Sequence, residues 1–177
     1  MTTVEPVRFR TDEFERMTDV GLFEDRHVEL LEGTLYEMPP MGTPHLRVLV
    51  RLQRMLATYN AAERLLVQVP VQVPDFDEPE PDLAVLRAPL GRSKPTAADC
   101  LLAIEVSDTT LAFDRERKVP AYRRGGIPTV WLVNLRERQV EVTTAQGARI
   151  WRAGDSTPLL IEDAQVDLAT LFAELDE

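Results

Sequence analysis

Residues 101–107, with the sequence Leu-Leu-Ala-Ile-Glu-Val-Ser, decide the fold. Apart from Glu105 and the final serine, every residue in this stretch is apolar. Such a nearly continuous apolar run is typical of a strand that is buried on both faces of a sheet. A carboxylate inside a strand of this kind is expensive to bury without a partner. Glu105 must therefore find a cation, a metal ion or a proton.

Predicted helices and strands alternate on both sides of this strand. The preceding chain predicts a helix over 11–19, a hairpin around Gly33, a helix from His45 to about Glu63, and strands over 65–74 and 81–87. The following chain predicts a helix over 114–126, a hairpin of strands 129–134 and 139–145, and a helix over 168–175 capped by Asp167. Pro120 should kink the first of these helices or confine its regular part to one side. This order is typical of an α/β fold, in which helices flank a mixed sheet.

Length and composition predict one domain without covalent cross-links. The chain has 177 residues, and a domain typically takes about 150. Apolar residues make up 44% and charged residues 28%, which is the composition of an ordinary globular protein. The single cysteine, Cys100, excludes an internal disulfide framework and a cysteine-based zinc cluster. We therefore expect a single domain over residues 1–177.

The sequence carries no membrane or export signal that we can identify. No apolar stretch approaches the roughly 20 residues that a membrane helix needs. The first 16 residues lack the apolar core of a secretory signal peptide. We expect a cytoplasmic protein that does not contact a membrane.

The charge of the chain is negative and unevenly distributed. A formal net charge of −10 argues against a protein that coats nucleic acid nonspecifically. No lysine or arginine follows Arg152, whereas Arg115–Arg124 is rich in basic residues and Arg47, Arg51 and Arg54 share one predicted helix face. These basic groups are either solvated surfaces or contacts that hold a polyanionic substrate at one place.

Several common catalytic motifs are missing from the sequence. There is no phosphate-binding G-x-x-x-x-G-K-[ST] loop and no G-x-G-x-x-G. None of the three serines lies in G-x-S-x-G, and the two histidines, His27 and His45, do not form H-E-x-x-H. Carboxylates, a lysine and a histidine remain as candidates for catalysis.

Two carboxylates lie on neighbouring stretches of predicted strand. Asp82 follows Pro81 at the start of one strand, and Glu105 lies inside another. If the strands are adjacent, both carboxylates and the carbonyl of Val106 converge on a divalent cation, with Mg²⁺ or Mn²⁺ as the expected cofactor. The alternative is a salt bridge between Glu105 and a basic residue of the following helix.

Three further residues each have a structural and a functional interpretation. Lys118 either pairs with Asp114, four residues earlier, or orients or deprotonates a water molecule in the site. Glu29 is either a solvent-facing residue of the hairpin or another acidic residue of the site. His45 opens the long helix, where it either packs or meets a phosphate beside free N–H groups.

The ordered set Asp82, Glu105-Val106-Ser107 and Lys118 resembles the PD-(D/E)XK nuclease pattern. Ser107 stands where the usual lysine would be, two residues after the glutamate, so Lys118 would be a migrated lysine. With its flanking residues, the pattern resembles the Uma-two family of restriction-endonuclease-like proteins over about residues 10–150. The matching pieces are residues 28–45, 80–85, 101–110, 114–134 and 139–142.

This resemblance implies a restriction-endonuclease-like core over about residues 27–145. An extra N-terminal helix and hairpin, C-terminal strands and a short terminal helix would be added to that core. The resemblance also implies Asp82 and Glu105 as metal ligands, Lys118 as the catalytic lysine and Glu29 as an additional acidic residue. His45 matches a histidine of the family, with no role assigned to it.

These expectations favour a metal-dependent endonuclease that hydrolyses phosphodiester bonds of nucleic acid, with DNA as the expected substrate. We place His45, Ser107, Arg51 and Arg115 among the substrate-binding residues, because arginines on helices can hold the nucleic-acid backbone. Two alternatives stay open: an inactive nuclease fold that binds nucleic acid or protein, and a hydrolase of small phosphorylated molecules. A homodimer would supply the two sites that cutting a duplex needs.

Overall fold

The computed structural model of the protein describes residues 4–57, 62–158, 165–173 and 175. Its helices are α1 (Thr11–Asp19), α2 (Thr43–Leu56), α3 (Leu111–Phe113), α4 (Val119–Arg124) and α5 (Leu168–Leu171). Its strands are β1 (Val28–Leu31), β2 (Thr34–Glu37), β3 (Leu65–Val67), β4 (Leu83–Leu86), β5 (Cys100–Ser107), β6 (Thr129–Asn134), β7 (Gln139–Thr144), β8 (Gly147–Arg152), β9 (Ser156–Pro158) and β10 (Gln165–Asp167).

A six-stranded mixed sheet forms the centre of the fold. Its strand order is β3-β4-β5-β6-β7-β8, in which β5 and β6 are parallel and all other neighbours are antiparallel. The helical segment from α3 to α4 makes the crossover that parallel neighbours require. The hairpin β1-β2 and the pair β9-β10 form two small additional sheets. This arrangement confirms the predicted α/β fold with a mixed sheet flanked by helices.

Strand β5 is buried on both faces, as its apolar sequence predicts. Leu102, Ile104 and Val106 pack in the same core cluster as the apolar face of α2. Ala103 packs in a second cluster, together with Tyr122 of α4. Because side chains alternate along a strand, Glu105 projects towards the α4 side of the sheet.

Helix α2 differs from its predicted bounds at both ends. It begins at Thr43 because Pro44 fits the first turn of a helix, where no N–H donor is needed. It ends at Leu56, well before the predicted end near Glu63. Residues 58–61 lie outside the described parts of the chain, and Ala62–Arg64 forms a separate 3₁₀ turn.

The predicted strand over 65–74 is wrong beyond its first three residues. Strand β3 ends at Val67, and Gln68 has a positive φ of 51° that takes the chain out of the sheet. Pro70 cannot donate to a ladder, which opposes regular pairing further along. Val71 and Val73 are instead buried in the core cluster on the α4 side.

The predicted helix over 114–126 begins earlier and contains an irregular turn. Helix α3 passes into a π-helical turn, Asp114–Lys118, which continues into α4 and ends at Arg124. The π-helical turn ends two residues before Pro120, where a regular helix would lose a hydrogen bond and meet a steric clash. The regular helix α4 thus begins next to the proline, which agrees with the second expectation for Pro120.

Other predicted elements are confirmed, although α5 has only half its predicted length. Helix α1 has the predicted bounds, and the β1-β2 turn contains Gly33 at a φ of 76°. The hairpin β6-β7 is antiparallel, as predicted. Helix α5 is shorter than the predicted helix over 168–175, but the Asp167 side chain accepts the predicted capping hydrogen bond from the Ala169 N–H.

No helix in the described ranges is long and apolar enough to cross a membrane.

The close contact at the end of α4 predicts a stability effect. A Cβ atom on Gly125 would lie 2.7 Å from Ala97 Cβ and 2.9 Å from a Val73 methyl group. We expect Gly125→Ala to lower the free energy of unfolding by about 1–3 kcal/mol, because the packed neighbours must shift. Urea denaturation measures this change.

Gly91→Ala is the matched control for that experiment. Nothing lies within 4 Å of a Cβ atom at Gly91, so its free energy of unfolding is expected to change by no more than about 0.5 kcal/mol. Equal stabilities for the two variants would contradict the packing of α4 described above.

Candidate active site

An open cavity of about 680 Å³ lies at the end of the sheet where β4 begins and β5 ends. The hairpin β1-β2, the loop before α2 and the π-helical turn also contribute to its walls. Six of the predicted site residues line it: Glu29, His45, Asp82, Glu105, Val106 and Lys118.

Asp82 and Glu105 reach this cavity from adjacent antiparallel strands. Leu83 pairs with Ile104, so Asp82 lies immediately before the paired part of β4. The Asp82 Oδ2 atom accepts a hydrogen bond of 2.7 Å from the backbone N–H of Val106. The two carboxylates are therefore placed on one face of the sheet by strand pairing and by alternation along each strand.

Lys118 is a buried residue, with only 3% of its surface exposed. Its Nζ atom lies 2.8 Å from Glu105 Oε1 and 3.1 Å from Glu29 Oε1. It also donates a hydrogen bond of 2.8 Å to the carbonyl oxygen of Glu80. The salt bridge between Glu105 and the following helix thus forms, and it forms inside the same cluster as Glu29.

Asp114 has other partners than the lysine four residues later. Its Oδ2 atom accepts hydrogen bonds from the hydroxyls of Ser107, at 2.7 Å, and Thr110, at 2.6 Å. These bonds tie the first residue of the π-helical turn to the end of β5. The helix that carries Lys118 is therefore attached to the strand that carries Glu105.

Burial and charge together shift the pKa values of this cluster. Burial raises the pKa of Glu105 well above its usual value, and the positive charge of Lys118 opposes the shift. Burial likewise raises the pKa of Glu29, again opposed by Lys118. Burial acts to lower the pKa of Lys118, but the charges of Glu105 and Glu29 outweigh it and the pKa is raised. Lys118 is therefore protonated at neutral pH.

Glu29 retains one unsatisfied oxygen in this cluster. Its side chain is 2% exposed, so the solvent-facing alternative for this residue does not hold. Among the described parts of the chain, its Oε2 atom has no hydrogen-bond partner. A buried carboxylate oxygen without a partner is costly, which favours an additional cation or proton nearby.

Both histidines of the chain line the cavity. His45 Nε2 lies 2.9 Å from Asp82 Oδ1, close to the start of α2. His27 Nε2 lies 3.3 Å from Glu80 Oε1. The hydrogen bond with Glu80 raises the pKa of His27, and burial acts in the opposite direction.

The structure places Ser107, Arg51 and Arg115 outside the lining of the cavity. Ser107 is fully buried and bonded to Asp114. Arg51 donates to the carbonyl oxygens of Leu171 and Ala173, next to α5. Arg115 forms an ion pair with Glu141 of β7.

Sequence reasoning missed Tyr122, whose hydroxyl donates a hydrogen bond to Glu105 Oε1. Tyr122 is fully buried, and burial raises the pKa of its hydroxyl well above the usual value. A tyrosine in an amphipathic helix suggests only core packing. The available signal was its position four residues after Lys118, which puts both side chains on one helix face.

The oxygen atoms at the cavity floor suit a hard divalent cation such as Mg²⁺ or Mn²⁺. Asp82 and Glu105 supply carboxylates. The N–H and C=O of a strand residue point to the same edge, so the Val106 carbonyl faces the Asp82 side as its N–H does. Within the described ranges, no preformed group of three or more His, Cys, Asp or Glu side chains could hold a metal ion. Asp82, Glu105 and the Val106 carbonyl could therefore hold such an ion only together with further donors from outside the protein.

The mixed sheet with its flanking helices is the fold expected of a restriction-endonuclease-like protein. The chain matches the family model Uma2, described as "Putative restriction endonuclease", over residues 11–168, and it therefore belongs to this family. No curated protein matches the chain.

The fold is similar to a solved structure, "a putative nuclease belonging to DUF820" from Anabaena variabilis. The TM-score is 0.75 at 16% sequence identity, and the match covers 96% of this chain and 99% of that chain. At this identity the similarity supports the fold, while the family match supports a nuclease class.

The buried cluster predicts a pH-dependent stability loss for Lys118→Met. Removing one partner of a buried ion pair costs about 3–5 kcal/mol, and we expect a loss of this size at pH 8. Lys118 lowers the pKa of both Glu29 and Glu105 against the effect of burial, so without Lys118 both carboxyls take up protons at a higher pH than in wild type. The loss should therefore shrink as the pH falls from about 8 to about 5, as measured by urea denaturation.

Two further variants make this test specific. Arg16→Met removes an exposed ion pair with Asp12 and should cost no more than about 1 kcal/mol at either pH. Adding Glu29→Gln to Lys118→Met should recover part of the stability, because it removes one of the two buried acids. An equal loss at pH 8 and pH 5 would contradict the charge cluster.

Proposed function

We propose that the protein is a divalent-metal-dependent endonuclease that hydrolyses phosphodiester bonds of nucleic acid, with DNA as the substrate. The observation that carries this proposal is the meeting of Asp82, Glu105 and Lys118 at the floor of one cavity. The family description of the chain supports the nuclease class. The acidic residues and the lysine supply the two kinds of group that phosphodiester hydrolysis requires.

Asp82, Glu105 and the Val106 carbonyl would hold the metal ion, which is Mg²⁺ or Mn²⁺ in this proposal. When bound, such an ion lowers the pKa of a water molecule and stabilises charge on a phosphate oxygen. The choice of carboxylate and carbonyl ligands agrees with the preference of both ions for oxygen.

Lys118 acts as a fixed positive charge in this proposal and not as a general base. Its raised pKa keeps it protonated at neutral pH, so it has no free electron pair to accept a proton. Its Nζ atom is held by Glu105, Glu29 and the Glu80 carbonyl, so its position is set before substrate binds. A preorganised cation of this kind stabilises the charge that develops on the phosphate.

His45 has a supporting role in the proposal. Its contact with Asp82 Oδ1 fixes the orientation of that carboxylate, and its place in the cavity wall also lets it meet a substrate phosphate. Arg51 and Arg115 lie outside the lining, so they would contact only nucleic acid that extends beyond the cavity. Ser107 contributes through Asp114 and not through contact with substrate. A homodimer would bring two such sites to a duplex.

A cleavage assay with matched variants tests this proposal. Supercoiled, linear and single-stranded DNA are incubated with Mg²⁺, Mn²⁺ or EDTA and either wild-type protein or a variant. We expect metal-dependent cleavage that falls at least about 100-fold in Asp82→Asn and in Lys118→Met. Lys94→Met and Asp12→Asn replace a lysine and an aspartate outside the cavity lining and should retain activity.

Several outcomes would contradict the proposal. Cleavage that persists in EDTA or in Asp82→Asn would exclude this site as its source. Salt-sensitive DNA binding without cleavage would instead indicate a binding module. Turnover of a small phosphodiester with intact polynucleotides untouched would indicate a hydrolase of small molecules.

A further inference from the structure

One stripe of the crossover helix contacts the polar residues of β5. Asp114, Lys118 and Tyr122 follow one another at intervals of four residues. Asp114 bonds to Ser107, whereas Lys118 and Tyr122 both contact Glu105. Ser107 and Glu105 are two residues apart and so lie on the same face of the strand. The polar residues on this side of the helix thus contact the two polar residues on the facing side of the strand.

Two donors of this stripe meet at a single atom, Glu105 Oε1. Lys118 Nζ lies 2.8 Å from it, and the Tyr122 hydroxyl donates a short hydrogen bond to it. Both donors are buried, with Lys118 3% and Tyr122 0% exposed. Two donors at one oxygen restrict the rotation of the carboxylate, which favours its second oxygen, Oε2, as the atom that meets a further partner.

We propose that Tyr122 is a positioning residue that fixes Glu105 with Oε2 presented to a divalent cation. This inference rests on the proposed function, since it concerns the same cation. Tyr122 would not touch the cation or the substrate. It acts through Glu105, as hydrogen-bonded partners of metal-binding carboxylates generally do.

The arrangement favours this role over simple satisfaction of a buried hydroxyl. Lys118 already provides the charge that offsets Glu105, so Tyr122 adds direction and not charge. Lys118 Nζ is shared with Glu29 and the Glu80 carbonyl, so its contact alone does not set the rotation of the Glu105 carboxylate. A phenol is held by its ring, and the Tyr122 ring is buried among apolar residues of the α4 side. The hydrogen bond from the Tyr122 hydroxyl therefore restricts the orientations that the Glu105 carboxylate can adopt.

The affinity of the Tyr122→Phe variant for Mn²⁺ tests the inference, and this measurement does not depend on nuclease activity. Free Mn²⁺ is titrated by electron paramagnetic resonance against wild type, Tyr122→Phe and Tyr36→Phe. Tyr36 packs against the ring of Phe113. Tyr36→Phe is the control, because it also removes one tyrosine hydroxyl but at a different place in the protein. Asp82→Asn, which should lose Mn²⁺ binding, verifies that the titrated ion occupies this site.

We expect the Mn²⁺ dissociation constant to rise about 10-fold in Tyr122→Phe and to stay within about twofold of wild type in Tyr36→Phe. Thermal unfolding without metal verifies that each variant is folded. An unchanged dissociation constant in folded Tyr122→Phe would overturn this inference alone. Failure of the wild-type protein to bind Mn²⁺ would overturn the proposed function, and this inference with it.

Discussion

The rest of the site depends on the buried contact between Lys118 and Glu105. Removing both charges from water costs several kcal/mol for each ion, and their attraction offsets this cost only with good geometry and further hydrogen bonds. The protein supplies those bonds from Glu29, Tyr122 and the Glu80 carbonyl. The apolar sequence of β5 forces burial, and burial in turn forces the assembly of this cluster. A structural requirement of the fold therefore creates the chemistry of the cavity.

The cavity is strongly acidic, which constrains what it can bind. Only Arg26 and Lys118 supply permanent positive charge among its lining residues, against eight carboxylate residues: Asp25, Glu29, Glu37, Glu80, Asp82, Glu105, Asp108 and Asp114. A phosphodiester would be repelled by such a surface unless cations accompanied it. The Glu29 Oε2 atom, which has no hydrogen-bond partner among the described residues, adds to the need for a cation. The negative charge of the cavity thus opposes binding of a phosphodiester alone. It favours binding of a phosphodiester together with a divalent cation.

Much of this architecture could be predicted because it follows from local patterns. The apolar run of β5, the hairpins and the order of elements indicated the α/β fold, and Asp82 and Glu105 were expected on adjacent strands. The two elements that contain prolines differ from their predictions. The strand predicted over 65–74 ends at Val67, and a π-helical turn lies just before Pro120. Tyr122 was missed because its hydrogen bond depends on how α4 lies across β5. Arg51 was predicted to contact phosphate, but tertiary packing places its guanidinium against the backbone carbonyls beside α5, to which it donates hydrogen bonds.

In the proposed site, Asp82, Glu105 and the Val106 carbonyl bind one cation beside Lys118. Anomalous scattering from a crystal equilibrated with Mn²⁺ tests it most directly. We expect a peak within about 2.5 Å of a carboxylate oxygen of Asp82, a carboxylate oxygen of Glu105 and the Val106 carbonyl oxygen. A Mn²⁺ peak elsewhere in the cavity, or none between these two strands, would contradict it.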